Sequence, residues 1–152
     1  MMASGFTRAV VVALALAAVA CDNTNSTPTD PSQVNIEFTT TDIVVGTGNP
    51  AVAGNVATVN YTGWLYNAAG TESKGRQFDT SLGPGGTPAV VTIGRRQTIA
   101  GFEAALVGMR LNGKRRVYIP SSMGYGPSGT SDGTIPPNAA LVFEIDMIGL
   151  VQ

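Results

Sequence analysis

The stretch Leu141-Val142-Phe143-Glu144-Ile145-Asp146-Met147 carries an apolar side chain at every second position. Successive side chains of a strand point to opposite faces, so Leu141, Phe143, Ile145 and Met147 share one face, and that face is a core face. The strand runs from Leu141 to Leu150. Upstream, Val56 to Tyr66 is rich in β-branched and aromatic residues and reads as a long strand, with Val90 to Ile93 and Arg115 to Ile119 as shorter ones. Val34, Ile36 and Phe38 alternate with polar residues, and Ile43 to Val45 runs into the turn cluster Gly46-Thr47-Gly48-Asn49-Pro50. Residues 67 to 77 and 82 to 88 are dense in Gly, Pro, Ser and Asn and read as loops. One segment changes period. Between Thr98 and Arg110, Ile99, Phe102, Leu106 and Met109 recur every three or four residues, which gives a helix with one apolar face. The predicted class is α+β: an antiparallel sheet of five to six strands curled around one short helix.

A chain of 152 residues, 43% apolar and 12% charged, holds enough hydrophobic material for one ordinary domain. Nine Lys plus Arg against ten Asp plus Glu give a formal charge of -1, without the basic excess of a general nucleic-acid binder. The absence of histidine removes the Ser-His-Asp triad, the Cys-His dyad and every His-containing zinc site. The single cysteine, Cys21, removes an intrachain disulfide and a multi-Cys metal cluster.

The N-terminal segment accounts for that cysteine. Arg8 precedes an uninterrupted run of Ala, Val and Leu from Ala9 to Ala20, too short to span a bilayer and right for the apolar core of an export signal. The run ends Ala18-Val19-Ala20-Cys21, which resembles the lipobox of bacterial lipoproteins, with Ala18 where Leu is usual. The same Ala-Val-Ala satisfies the small-x-small rule of ordinary signal peptidase, so a soluble secreted product is the alternative. Asp22 to Ser32 is Asn, Thr, Ser, Pro and Asp throughout, the composition of a tether. The expected organisation is a signal peptide over 1–20, a tether over 21–33 with Cys21 lipidated, and a domain over 34–152. The protein is then exported and faces the periplasm or cell exterior, touching the membrane through its lipid only.

Several motifs fail on their context. Gly124-Tyr125-Gly126-Pro127-Ser128-Gly129 spells a dinucleotide fingerprint, but a helix must open inside it, and Pro127 with Pro136-Pro137 prevents that. Gly83-Pro84-Gly85-Gly86 lacks the Gly-Lys-Ser/Thr ending of a phosphate loop. The carboxylates show no metal-ligand spacing, and no metal is expected. Arg95, Arg96, Arg110, Lys114, Arg115 and Arg116 read as solvated strand ends around a turn at Asn112-Gly113, in preference to a polyanion site.

Five segments occur in a telling order: Val59-Asn60-Tyr61-Thr62-Gly63-Trp64-Leu65, Gln77-Phe78-Asp79-Thr80-Ser81, Ile99-Ala100-Gly101-Phe102-Glu103, Gly124-Tyr125-Gly126 and Ile135-Pro136-Pro137-Asn138-Ala139-Ala140-Leu141-Val142-Phe143-Glu144. Over roughly residues 42 to 151 the chain resembles an FKBP-type peptidyl-prolyl cis-trans isomerase, in particular the bacterial lipoprotein members. The resemblance implies an antiparallel sheet curled on a short helix. It implies catalytic roles for Asp79, Tyr125 and Phe143, and substrate binding by Tyr61, Phe78, Thr98, Ile99, Phe102 and Ile135. Four positions depart from the family pattern: Phe102 replaces the usual Trp, Thr98 replaces Val, and Ala89 and Val91 stand where Phe is common. Thr71 to Arg76 lengthen the loop before the Phe-Asp pair. Macrolide ligands would then bind, weakened by Ala89, and the partners are proline-containing polypeptide clients of a monomeric protein.

Such chemistry suits a chain without histidine. Rotation about an X-Pro bond must cross a barrier of about 18–20 kcal/mol, and it needs no covalent step, acid, base or cofactor. The alternative reading is a binding or chaperone module of the same fold, gripping apolar segments without turnover.

Overall fold

The computed structural model describes residue 30 and residues 32–152. The expected signal peptide and Cys21 lie outside those residues. Six strands form one antiparallel sheet: β1 (Thr39–Val44), β2 (Val56–Tyr66), β3 (Lys74–Thr80), β4 (Ala89–Thr92), β5 (Lys114–Ile119) and β6 (Leu141–Val151). They lie in the order β1-β5-β6-β2-β3, and β4 also pairs with β2. One helix, α1 (Ala100–Leu106), packs on the inner face of the sheet. The central pair is β2 with β6, running from Val56 opposite Val151 to Leu65 opposite Leu141 with one register shift between Thr58 and Val59 that leaves Ile148 without an opposite residue.

The alternation in β6 does what its pattern requires. Leu141, Phe143, Ile145 and Met147 are buried together with Val59, Val117, Ile119, Phe102 and Leu106, and these form the core between sheet and helix. Gly101 lets the helix approach closely, since a Cβ there would stand 2.4 Å from Ile119 Cγ2. The helix is shorter than its apolar repeat. Val107 is already extended, at ψ 131, and Gly108 follows at φ +79 with its N–H on the carbonyl of Ala51, so the chain has left the helical path before Met109.

Two further boundaries differ from expectation. Residues 33–38 are not a strand; the first strand begins at Thr39, while Phe38 packs against the core from an irregular segment. The loop expected over 67–77 instead ends at Ser73, because Lys74 to Gln77 belong to β3. No apolar alternation announces those residues. Their register is held on the outer face, where Lys74 Nζ lies 2.7 Å from both Glu72 and Glu144 and 4.6 Å from the Trp64 ring centre. Arg116 joins this group through Glu72 and Glu144, and Lys114 pairs with Asp146. Arg115 points inward, to Asp42 and to the carbonyls of Ala105 and Val107 at the end of α1. Those cations are therefore structural, and Arg115 and Arg116 are paired and largely covered where solvated strand ends were expected.

The described part of the expected tether is bound to the domain. Ser32 is 1% exposed and its carbonyl accepts the Ala140 N–H, while Asp30 accepts both the N–H and the hydroxyl of Ser32. Among the described residues no helix is long and apolar enough to cross a membrane.

Candidate functional site

The site begins at a split in the sheet edge. Residues 56–59 of β2 pair with β4, whereas Thr62 to Tyr66 pair with β3, so Asn60 and Tyr61 face the gap between the two. Ser81 closes the backbone side of the gap. Its N–H donates to the Tyr61 carbonyl, its Oγ accepts the Tyr61 N–H at 2.8 Å, and its hydroxyl reaches Asn60 Oδ1 at 3.1 Å. What remains is a cleft of about 240 Å³.

Phe78 and Asp79 adjoin in sequence, so a regular strand would send them to opposite faces. Both line the cleft. The register explains it: Gly63 opposes Asp79 and Trp64 opposes Gln77, which leaves Phe78 as the extra residue of a β-bulge. The bulge re-aims the pair.

Phe143 is the centre of an aromatic cluster. Its ring meets Phe102 at 5.3 Å and 80°, Phe78 at 5.5 Å and 86°, and Tyr61 at 6.2 Å. Tyr61 meets Phe102 edge-on at 5.6 Å. Such edge-to-face contacts are favourable and directional, so the rings form a fixed wall and not a deformable liner. Gly63 makes room for it, since a Cβ there would lie 2.7 Å from both Phe143 and Phe78.

The polar groups are few. The Tyr61 hydroxyl donates to Asp79 Oδ2 at 2.7 Å. Burial, and then the Asp79 carboxylate as bond partner and charge, push the Tyr61 phenol up to about 12. Burial and the same carboxylate also raise Tyr125, whose hydroxyl has no acceptor among the described residues. The opposite rim is the loop before α1. The Glu103 carboxylate accepts the N–H groups of Gly94 at 2.9 Å and Gln97 at 2.6 Å, with Thr98 at 3.4 Å. Burial pushes Glu103 up, but the backbone donors outweigh it and hold the carboxyl below its ordinary value. That clamp sets Thr98 and Ile99 against the cleft.

The structure thus brings together Tyr61, Phe78, Asp79, Thr98, Ile99, Phe102, Tyr125 and Phe143 around one opening, and Ala89 stands on its wall. Ile135 is placed otherwise. It is 2% exposed and belongs to the core, where its backbone pairs with Thr130, and it does not line the opening. Gln97 does line it and was not singled out by sequence; only its place beside Thr98 could have signalled it. Among the described residues no group of His, Cys, Asp or Glu could hold a metal ion.

Residues 48–148 match the profile of the FKBP-type peptidyl-prolyl cis-trans isomerase family. The chain belongs to that family. An FK506-binding protein of Neisseria meningitidis serogroup B is 43% identical over 111 residues, covering 73% of this chain and 94% of the relative. FK506-binding protein 1 of Gibberella zeae is 42% identical over 105 residues, covering 69% of this chain and 90% of the relative. The crystal structure of a peptidyl-prolyl cis-trans isomerase from Pseudomonas syringae pv. tomato superimposes with a TM-score of 0.61 at 32% identity, covering 76% of each chain. This FKBP-type chain is therefore placed with the peptidyl-prolyl isomerases as an enzyme class, and its six-stranded sheet on one helix is their fold.

Proposed function

We propose that the aromatic cleft of this FKBP domain accelerates rotation about X-Pro bonds in exported polypeptides, with Asp79, Tyr125 and Phe143 acting on the turning amide. The observation that carries the reading is the composition of the opening: Tyr61, Phe78, Phe102, Tyr125 and Phe143 surround it, and Asp79 is its one charged residue. A planar peptide group has a dipole of about 3.5 D, part of which depends on resonance that twisting removes. An apolar wall therefore disfavours the planar ground state more than the twisted state. Burying about 100 Å² of proline contributes roughly 2.5 kcal/mol, whereas a 10⁵-fold acceleration requires about 7 kcal/mol. Ring burial alone is insufficient. The remainder falls to groups that hold the twisted amide: the free Tyr125 hydroxyl, the Ile99 N–H, and the Asp79 carboxylate fixed by Tyr61. Tyr61, Phe78, Thr98, Ile99 and Phe102 bind the proline and its neighbours.

Macrolides of the FK506 type are proposed to occupy the same cleft, weakly, because Ala89 offers less wall than Phe. In this reading the domain works as a monomer on proline-containing clients, held at a membrane surface by a lipid on Cys21, to which the run Ala9 to Ala20 delivers it.

The test is a protease-free measurement of kcat/KM on a short X-Pro peptide. Asp79→Val and Tyr125→Phe should each lower it while leaving the thermal midpoint near the parent. Unchanged turnover in both would remove the site assignment. Binding of the peptide without turnover by the unmodified protein would favour the chaperone reading. For the anchor, labelled palmitate should enter the parent and not Cys21→Ser, and an unlabelled parent would exclude lipidation.

A further inference from the structure

The cations of this molecule are not equally engaged. Lys74, Lys114, Arg115 and Arg116 pair with carboxylates. Arg76 and Arg110 donate to the carbonyls of Thr134 and Gly48. Arg95 and Arg96 are the exception: among the described residues neither side chain has a carboxylate or carbonyl partner, and both are exposed. They are adjacent, and they immediately precede Gln97 and Thr98 on the wall of the cleft.

Their loop is rigidly placed. The Thr92 N–H donates to Gln97 Oε1 at 2.7 Å, and the Arg95 N–H returns to the Thr92 carbonyl at 3.2 Å. Arg96 is held at φ +55, a left-handed conformation uncommon outside glycine, asparagine and aspartate. Glu103, the carboxylate nearest along this loop, is occupied by backbone N–H groups and forms no ion pair with either arginine. Two unneutralised positive charges therefore belong to the loop that leads directly into Gln97 and Thr98, outside the lining itself, of an opening whose single charged lining residue is Asp79.

We infer that Arg95 and Arg96 form an anion-reading rim, which selects X-Pro segments that carry a carboxylate side chain beside the proline core. This rests on the isomerase reading of the cleft. The X-Pro amide is neutral and the aromatic wall reads only its shape, so charge discrimination must come from residues that meet the flanks of the peptide. Consecutive Cα atoms lie about 3.8 Å apart, so a chain leaving the cleft past Thr98 and Gln97 runs beside a loop whose next two residues are Arg96 and Arg95, within the reach of long arginine side chains. A guanidinium fork matches a carboxylate bidentately and repels lysine. The recognised class is thus an acidic, proline-containing peptide.

The experiment uses peptides with one neutral X-Pro core, extended at either end by two Glu, two Ala or two Lys residues. Every kcat/KM is divided by that of the Ala peptide measured on the same protein, so a general change in activity cancels. The parent should prefer Glu over Lys by about three- to tenfold at one end in low salt, the range expected for two exposed charge pairs. The preference should shrink towards unity in about 1 M salt, where the screening length falls to about 3 Å. It should also vanish in the double variant Arg95→Gln/Arg96→Gln. Equal rates on Glu and Lys peptides at both ends, or a preference that survives in the double variant, would overturn the inference while the Ala peptide is still turned over. Failure to turn over the Ala peptide would instead overturn the isomerase reading beneath it. Sedimentation with vesicles containing about 30% anionic lipid, lost in the double variant and unaccompanied by any peptide preference, would assign the pair to a membrane surface and likewise refute it.

Discussion

Replacing Glu103 by Gln isolates the clamp that holds one wall of the cleft. The carboxylate is 8% exposed and receives two short backbone bonds, from Gly94 at 2.9 Å and Gln97 at 2.6 Å, with a third donor at 3.4 Å. Gln keeps the shape and one acceptor oxygen but turns an amide donor towards the second N–H. The substitution therefore removes one charge-assisted bond and opposes two donors, a loss of about 2 kcal/mol. For a domain of this size that lowers the thermal midpoint by roughly 6–10 °C. The loop carrying Gln97, Thr98 and Ile99 relaxes, so KM on an X-Pro peptide should rise several-fold while kcat changes less. The pH dependence has a definite sign. Because the folded carboxyl titrates below its ordinary value, its contribution is present above the unfolded pKa and disappears as the pH falls through the folded one. The gap in midpoint between parent and variant should thus be full at neutrality and close in acid. Differential scanning calorimetry across that range, with peptide kinetics at neutral pH, makes the check. A gap that does not narrow in acid, or a KM unchanged at neutrality, would refute the clamp.

Phe143→Ala removes a ring that is 4% exposed and touches three others, so stability should fall by about 3–5 kcal/mol in urea titration and turnover should be lost with the wall. Gly63→Ala introduces a Cβ 2.7 Å from Phe143 and Phe78, an overpacking that should cost about 1–3 kcal/mol and displace the bulge that carries Asp79, seen as a drop in kcat/KM larger than the stability change implies. With no histidine in the chain and the Tyr61 phenol raised to about 12, the Tyr61–Asp79 bond keeps its proton throughout the neutral range, so kcat on a neutral peptide should vary less than about twofold between about pH 6 and 8.5. A bell centred near neutrality would contradict rotation without proton transfer.

The parts that were legible in sequence are those where one periodicity dominates. Val56–Tyr66 emerges with the predicted limits from its β-branched and aromatic composition, and β6, which extends one residue past Leu150, from a two-residue apolar repeat that fixes its core face. β3 was not legible: no strand is predicted anywhere over 74–80. Lys74, Gly75, Arg76 and Gln77 carry no apolar alternation, and what pairs them is an ion cluster with Glu72, Glu144 and Arg116 that exists only once distant strands have met. The site residues followed from the family resemblance, since each aromatic taken alone fits plain core packing as well. Ile135 illustrates the limit: its motif matches, yet its side chain lies inside the core and off the lining of the opening. The bulge at Phe78 is likewise a property of pairing, set by which residue of β3 finds Trp64.

An aromatic cleft poses a physical difficulty, since hydrophobic rings left to themselves collapse and exclude the space a substrate needs. Here the rings that would close it are prevented from doing so by polar groups placed behind them. Ser81 and Asn60 hold the backbone of Tyr61 at the split of the sheet, Asp79 ties the tip of the same residue, and Glu103 fixes the opposing loop from beneath. Each of these bonds is directional, whereas burial is not, so they oppose collapse in a way that further apolar packing could not. Under the proposed reading specificity divides accordingly: the neutral wall takes the proline, and the unpaired arginines of the loop before Gln97 read what lies beside it.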